Sequence, residues 1–354
     1  MNNETEMSAE PQRRSFPQQS RATAPIVESA VAWLQGELAL PETYVLESGE
    51  VLRNAKLAWQ CVGPAEAPLI VVLGGISAHR SVCAEDGRGW WEAQCGGGKT
   101  LDTQRYRVLS IDWLGGCDAS TGPRSAAQTA AEFPAISTGD QARALLLLLN
   151  RLGVRRVHLL VGASYGGNVA QQLAALLGDR LRRLVLLSAA HRPAQFGLAL
   201  RHVQRAILDL GQESAAALAL ARSLAVLGYR TAEGVEQRFS TQSTTFDGHN
   251  GGVTGWIDHH GAKFVQRFDA DAYRCLGRSL DAHEIDPASI RVPTTVFAVH
   301  DDLTVPLSLL REYADRAGEN CELVEISSNY GHDAFLKEVA KVSDLFAQAL
   351  EVTA

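Results

Sequence analysis

The segment Gly162-Ala163-Ser164-Tyr165-Gly166-Gly167 lies between an apolar run, Val157-His158-Leu159-Leu160-Val161, and an amphipathic stretch that begins near Asn168. A G-x-S-x-G sequence in that setting requires a strand that turns abruptly into a helix. The serine is held in a strained backbone conformation, and glycine neighbours let the turn close without clashes. Its hydroxyl then stands proud of the sheet edge, and the N–H of Tyr165 points with the helix N-terminus toward an oxyanion forming on a substrate carbonyl. Ser164 is therefore the candidate nucleophile. Because the chain carries 31 glycines, the bare pattern arises readily by chance, and the flanking strand and helix signals are what give it weight.

The strand half of that unit recurs. Pro68 to Leu73, Arg107 to Ile111 and Leu184 to Leu187 are short apolar runs ending near glycine, serine or aspartate, and Thr294 to Val299 and Glu322 to Ile326 continue the series. Helical patterns such as Asp140 to Leu152 lie between some of them, which predicts an α/β protein with a mostly parallel sheet and functional residues at the carboxyl ends of its strands. Upstream, Thr43 to Val62 alternates apolar and polar residues around Ser48-Gly49-Glu50, as a hairpin would. Residues 191–284 change character to helices, Leu198 to Leu210 and Ser214 to Leu227, followed by a glycine-containing loop from Asp247 to Gly255. The expected organisation is a polar disordered tail over residues 1–25, a core formed by 38–190 and 285–354, and a helical cap over 191–284.

Composition narrows the function classes. A chain of 354 residues with 46% hydrophobic content supports one large core with an inserted or appended subdomain. The formal charge of −7 leaves no basic stripe to displace counterions from phosphates, so no nucleic-acid partner is expected. No apolar stretch reaches the roughly 18 residues of a membrane span, so no membrane partner is expected either. Arg13-Arg14-Ser15-Phe16 has the look of a twin-arginine signal, but polar residues follow where an apolar segment belongs. The six cysteines Cys61, Cys83, Cys95, Cys117, Cys275 and Cys321 show neither paired nor metal-ligand spacing. That fits a reducing, cytoplasmic setting with no metal.

A serine nucleophile needs a base, and the base needs a third group to orient it. Asp301 and Asp302 both follow the strand ending near His300, and spacing does not choose between them. His332, in Tyr330-Gly331-His332-Asp333, follows the next strand and is the candidate base. Gly74-Gly75, at the end of another strand, offers a second oxyanion donor at Gly75 beside the N–H of Tyr165. Cys117 reads as a small packed residue rather than a second nucleophile.

Together these residues resemble the homoserine O-acyltransferase family of α/β-hydrolase-fold enzymes. The resemblance runs from about Leu69 to the C-terminus through Gly89-Trp90-Trp91, Leu101-Asp102-Thr103, Leu114-Gly115-Gly116 with Ser120-Thr121-Gly122-Pro123, the elbow, Arg267-Phe268-Asp269 and Gly331-His332-Asp333-Ala334-Phe335-Leu336. It implies an acylated Ser164, His332 as base and Asp302 as acid, the last because the family's acid stands four residues before a proline, here Pro306. It further implies that Arg222 holds the carboxylate of L-homoserine and Asp333 its ammonium. Acyl-CoA is then a cosubstrate and no bound cofactor is called for. A cap would exclude water from the acyl-enzyme, and a homodimer is expected from pairing of cap helices.

Two departures from the common acetyltransferase form point toward a succinyl-CoA branch: Gly74-Gly75-Ile76-Ser77-Ala78-His79-Arg80 after the oxyanion strand, and Ala163 and Tyr165 in the elbow. A succinyl group needs a cation, for which Arg80 is the first candidate and Arg192 and Arg201 are others. The competing readings are a homoserine O-acetyltransferase, a serine O-acyltransferase, a carboxylesterase with the same three residues, and a catalytically dead binding module.

Overall fold

The computed structural model describes residues 31–125, 133–212, 214–240 and 252–351. In chain order the first elements are β1 (Ala32–Ala39), β2 (Thr43–Val45), β3 (Val51–Arg53), β4 (Lys56–Gly63), β5 (Leu69–Leu73), β6 (Cys95–Gly96), β7 (Leu101–Asp102) and β8 (Arg107–Ile111). There follow α1 (Thr138–Arg151), β9 (Leu159–Ala163), α2 (Tyr165–Leu177) and β10 (Leu184–Leu187). Then come the helices α3 (Gln195–Leu210), α4 (Ala215–Tyr229), α5 (Ala232–Phe239), α6 (Gly252–Phe264) and α7 (Ala270–Asp281). The chain closes with β11 (Thr294–Val299), α8 (Leu307–Ala317), β12 (Cys321–Ile326), α9 (Ala334–Lys337) and α10 (Val339–Glu351).

An eight-stranded sheet with the order β1-β4-β8-β5-β9-β10-β11-β12 organises the molecule. Its first two pairings are antiparallel and the others parallel. This is the α/β-hydrolase architecture. Every residue of β5, β9, β10 and β11 is buried, because helices cover both faces and leave no side for polar alternation. Successive side chains divide between the faces. Val71, Leu73 and Leu160 join the core containing Leu145, Val169 and Leu310, whereas Ile70, Val72, Leu159 and Val161 join the one containing Trp91, Phe335 and Phe346. Helix α1 starts where the Ser137 hydroxyl accepts the N–H of Asp140 and the Asp140 carboxylate accepts the N–H of Ser137, each at 2.9 Å.

Three expectations are corrected. The alternation from Thr43 to Val62 does not form one hairpin: β2 and β3 pair around the turn at Gly49 (φ 85°), and β4 enters the main sheet between β1 and β8. Leu57, Ala58, Cys61 and Val62 are all buried there, so β4 faces packing on both sides and has no wetted face. Strand β1, absent from the expectations, pairs with β4 along its whole length, from Ala32 opposite Gly63 to Ala39 opposite Lys56. All its side chains are exposed or half-buried, and its apolar residues Trp33, Leu34 and Leu38 follow no alternating pattern, so its backbone hydrogen bonds define it. Of the loop expected from Asp247 to Gly255, residues 252–255 belong to α6; residues 247–251, like the tail expected over 1–25, lie outside the described residues. Packing overrides the low helix propensity of these glycines, since α6 lies against α4 so closely that a Cβ on Gly261 would meet the Ala219 carbonyl oxygen at 2.7 Å.

Helices α3 to α7 all fall between β10 and β11. They place one long excursion at the carboxyl ends of the parallel strands. Among the described residues no helix is long and apolar enough to cross a membrane.

Candidate active site

Ser164 joins β9 to α2 with φ 51° and ψ −121°, a left-handed φ that costs a non-glycine residue free energy. Neighbouring contacts hold it there. Its N–H donates to the Leu187 carbonyl at 2.9 Å, and its carbonyl accepts the N–H groups of Gly167 (2.8 Å) and Asn168 (3.2 Å). The glycines are required by close approach: a Cβ on Gly166 would sit 2.2 Å from the Leu73 carbonyl oxygen, and one on Gly162 would sit 2.6 Å from that of Gly166.

The structure brings Ser164, His332 and Asp302 into one hydrogen-bonded chain. His332 Nε2 lies 2.8 Å from Ser164 Oγ, and its Nδ1 lies 2.6 Å from Asp302 Oδ2. The other oxygen of Asp302 accepts the Thr304 N–H, the Thr304 hydroxyl and the Val305 N–H, each at 2.9 Å. Asp302 is thus a buried, fully hydrogen-bonded carboxylate, while Asp301 is exposed and faces a separate surface groove. Burial works against charging His332, but the Asp302 charge and hydrogen bond, with a smaller contribution from Asp333, outweigh it and raise the imidazole above its ordinary value. The neutral base with Nδ1–H toward Asp302 leaves Nε2 free to accept the serine proton.

Tyr165 is the first residue of α2, so its N–H has no acceptor within the helix. Its side chain is fully buried, with the hydroxyl 2.8 Å from Ser279 Oγ and accepting from the Gln141 amide at 3.2 Å. Gly75 lines a cavity together with Ser164, and its carbonyl is taken by the Ala78 N–H (2.9 Å) and Trp113 Nε1–H (3.2 Å), which orient the loop. Cys117 accepts the Asp269 N–H at 3.3 Å, and burial pushes its thiol up to about 12, so it is no competing nucleophile.

Ser164, Ile76, Tyr229 and His332 line two cavities, of about 140 Å³ and about 60 Å³. The larger one also holds Arg222 and Asp333. The Arg222 guanidinium lies over the rings of Tyr229 (5.5 Å) and Phe264 (4.8 Å), and no carboxylate pairs with it among the described residues. A half-buried cation held by aromatic faces and lacking a counter-ion is poised for an anionic ligand. Asp333 Oδ2 pairs with Arg230 at 2.9 Å, and among the described residues Oδ1 has no partner. Among the described residues the cavity that Ser164 lines therefore presents one open cation and one half-open carboxylate, a complement to a zwitterion.

Arg80 is not brought to either cavity. Its guanidinium is ion-paired with the fully buried Asp112, whose carboxylate also accepts the Arg80 N–H (2.7 Å) and the Ala119 N–H (3.0 Å). A buried carboxylate needs that counter-charge, so Arg80 is committed to the loop and is not available to an acyl group. Arg192 and Arg201 do line the smaller cavity. Two participants were missed in the sequence. The Tyr229 ring lies tilted against His332 (centroids 5.4 Å apart) and under Arg222, and Arg230 holds Asp333. The spacing of Arg222 and Tyr229, two turns apart on one helix face, is the signal that could have revealed the first.

Comparison with known proteins adds the following. The alpha/beta hydrolase fold family matches residues 68–339. A homoserine O-succinyltransferase of Xanthomonas campestris pv. campestris is 38% identical over 308 residues, covering 85% of this chain and 80% of its own. A homoserine O-acetyltransferase of Symbiobacterium thermophilum is 34% identical over 361 residues, covering 89% and 94%. Among solved structures, a homoserine O-acetyltransferase from Staphylococcus aureus superposes with a TM-score of 0.77 at 26% identity, covering 90% of this chain and 95% of that one.

Proposed function

The chain belongs to the homoserine O-acyltransferase family of α/β-hydrolase-fold enzymes, and on that premise we propose that it transfers an acyl group from acyl-CoA to the hydroxyl of L-homoserine, with succinyl-CoA as donor. The observation that carries this reading is the Ser164-His332-Asp302 chain opening on a cavity that also holds half-open Asp333 and Arg222, which no carboxylate pairs among the described residues. A plain hydrolase has no need of a zwitterion-binding pair beside its nucleophile.

In the first half-reaction Ser164 Oγ attacks the thioester carbonyl carbon while its proton passes to His332 Nε2. The oxyanion is met by the N–H groups of Tyr165 and Gly75. Collapse breaks the C–S bond, and His332 returns the proton to the leaving thiolate, so free CoA departs and an ester remains on Ser164. In the second, the acceptor lies with its carboxylate on Arg222 and its ammonium near Asp333, and its hydroxyl gives its proton to His332 as it attacks that ester. Ser164 Oγ leaves and recovers the proton. Helices α3 to α7 act as the cap that keeps water from the waiting acyl-enzyme. The product is the activated homoserine of methionine biosynthesis.

Acetyl-CoA is the alternative donor, favoured by the small volume of the second cavity. A homodimer is supported by exposed apolar residues on the cap: Phe196, Val203 and Leu210 recur every seven residues on α3, and Leu220 and Leu227 on α4. Acyl-enzyme trapping tests the mechanism. Mixing with succinyl-CoA and no acceptor is expected to leave one succinyl group on the peptide containing Ser164, removed on adding L-homoserine. A labelled peptide that homoserine does not discharge contradicts it.

A further inference from the structure

Cys83 and Cys95 stand twelve residues apart in the segment between β5 and β8, and that spacing gives no sign that they meet. In the fold the Cys95 thiol donates to Cys83 Sγ at 3.3 Å. Both cysteines are free and buried, in the core that also contains Trp91, Phe335 and Phe346. Backbone contacts hold the pair together. The Trp91 N–H donates to the Val82 carbonyl at 2.9 Å and the Cys95 N–H to the Trp91 carbonyl at 3.1 Å, while Glu92 Oε1 accepts the N–H groups of Ala84 (2.9 Å) and Gly89 (2.7 Å). A Cβ on Gly89 would sit 2.4 Å from Cys83 Cα, so the chain on the far side of the loop lies directly against Cys83.

The pair differs chemically from the other four thiols. Burial pushes Cys61 and Cys321 up to about 11 and Cys117 and Cys275 up to about 12. At Cys83 the hydrogen bond from Cys95 stabilises the thiolate and lowers the group below its ordinary value, although burial works the other way. Cys83 is thus the most readily ionised of the six cysteines, and a second sulfur is already in contact with it. It also keeps 3% exposure against 0% for Cys95. The stretch from Gly74 to Gln94 that contains it is all turns, bends and irregular chain, the kind of segment that opens locally at low cost. A small oxidant therefore reaches Cys83 first.

We propose that Cys83 and Cys95 are a modification site, oxidised by hydrogen peroxide to a reversible disulfide that pins the loop whose Trp90 lines the cavity beside Ser164. The Cys83 thiolate sulfur attacks one peroxide oxygen and the O–O bond breaks. This leaves a sulfenic acid on Cys83, and the departing hydroxide takes up a proton to become water. The Cys95 sulfur then attacks that of Cys83, the S–O bond breaks, and the hydroxide leaves with the Cys95 proton as a second water. Two electrons pass from the sulfur pair to the peroxide, so two thiols and one peroxide give one disulfide and two waters. The sulfurs must close from 3.3 Å to ~2.05 Å, a movement small enough for side-chain rotation. Ser164, Asp302 and His332 take no part, so the site stands or falls separately from the acyl-transfer reading.

The test treats the full chain, reduced and freed of reductant, with hydrogen peroxide for increasing times, then denatures it in an alkylating agent and digests it with trypsin. Cleavage after Arg80, Arg88 and Lys99 puts the two thiols in separate peptides, Ser81–Arg88 and Gly89–Lys99, so their disulfide appears as a linked pair that dithiothreitol splits. The expected first product is that pair, formed at least ~10-fold faster than any of the other four thiols is lost. Cys95→Ser is expected to stop at a Cys83 sulfenic acid, trapped by dimedone, and Cys83→Ser to leave Cys95 unoxidised over the same time. Recovery of both wild-type thiols alkylated, a first link that involves any other cysteine, or oxidation of Cys83 without a link to Cys95 overturns the inference, whatever the stability of the variants. Pinning is read on the native protein by trypsin at Arg88, whose side chain is 84% exposed within the loop. Cleavage there should be at least ~3-fold slower in the oxidised form, and an unchanged rate overturns that part.

Discussion

The sheet ends and the inserted helices face the same two cavities but are built on different principles. Ser164, Asp302 and His332 stand in turns at the ends of β9, β11 and β12, each turn fixed by backbone hydrogen bonds and, at the elbow, by glycines that admit no side chain. Arg222 and Tyr229 on α4, and Arg201 and Arg205 on α3, are placed instead by helix faces packed on one another and by side-chain pairs. On the proposed reading, chemistry falls where the backbone is rigid, and selectivity where substitutions leave the scaffold alone. The comparison makes a division that mutation can break: changes at the sheet ends should lower kcat, and changes in the insertion should move KM or donor preference.

Ser164→Ala carries the largest expected effect, a loss of ~10⁴–10⁶ in kcat, with no acyl-enzyme by mass spectrometry. Retention of a tenth of the rate would mean that another group is the nucleophile. Asp302→Asn should cost ~10⁴ through loss of the correct imidazole tautomer, while Asp301→Asn stays within ~2-fold because that side chain is exposed. The same pair sharpens the pH dependence. His332 must be neutral to accept a proton, and its protonated form is stabilised by Asp302, so activity should rise with pH through a midpoint above the ordinary value of 6.5. Removing the Asp302 charge should lower that midpoint, and a pH profile that does not move would separate the two residues.

In the insertion, Arg222→Ala is expected to raise the homoserine KM by ~10–100-fold, the worth of a charged bidentate contact, with little change in acyl-enzyme formation. Equal loss in both half-reactions would return Arg222 to a structural role. The smallest effect on catalysis belongs to Arg80→Ala, which should leave donor preference intact and lower stability by ~1–3 kcal/mol, read by denaturant titration, because Asp112 loses its counter-charge. A changed succinyl-to-acetyl ratio there would break the assignment of Arg80 to the loop.

The same division explains what the sequence disclosed. The parallel strands were legible because burial on both faces turns them into continuous apolar runs, and the elbow because steric limits at Gly162 and Gly166 leave a pattern. Asp301 and Asp302 were indistinguishable, being neighbours in one turn. Burial and three donors to one oxygen mark out Asp302, and those are properties of the folded loop. Strand β1 was invisible because an edge strand defined by backbone pairing needs no alternating apolar pattern, and Trp33, Leu34 and Leu38 form none. Arg80 and Arg201 look alike in sequence, and only the fold shows that Arg80 is held by Asp112 on the neighbouring strand end while Arg201 shares Asp281, at the end of α7, with Arg205.

The most direct measurement is thiol release from succinyl-CoA and acetyl-CoA, each with L-homoserine, L-serine or no acceptor, with Ser164→Ala as control. Release from succinyl-CoA that requires both homoserine and Ser164 is the expected result. Release that proceeds at the same rate without any acceptor would contradict it and make the protein a hydrolase.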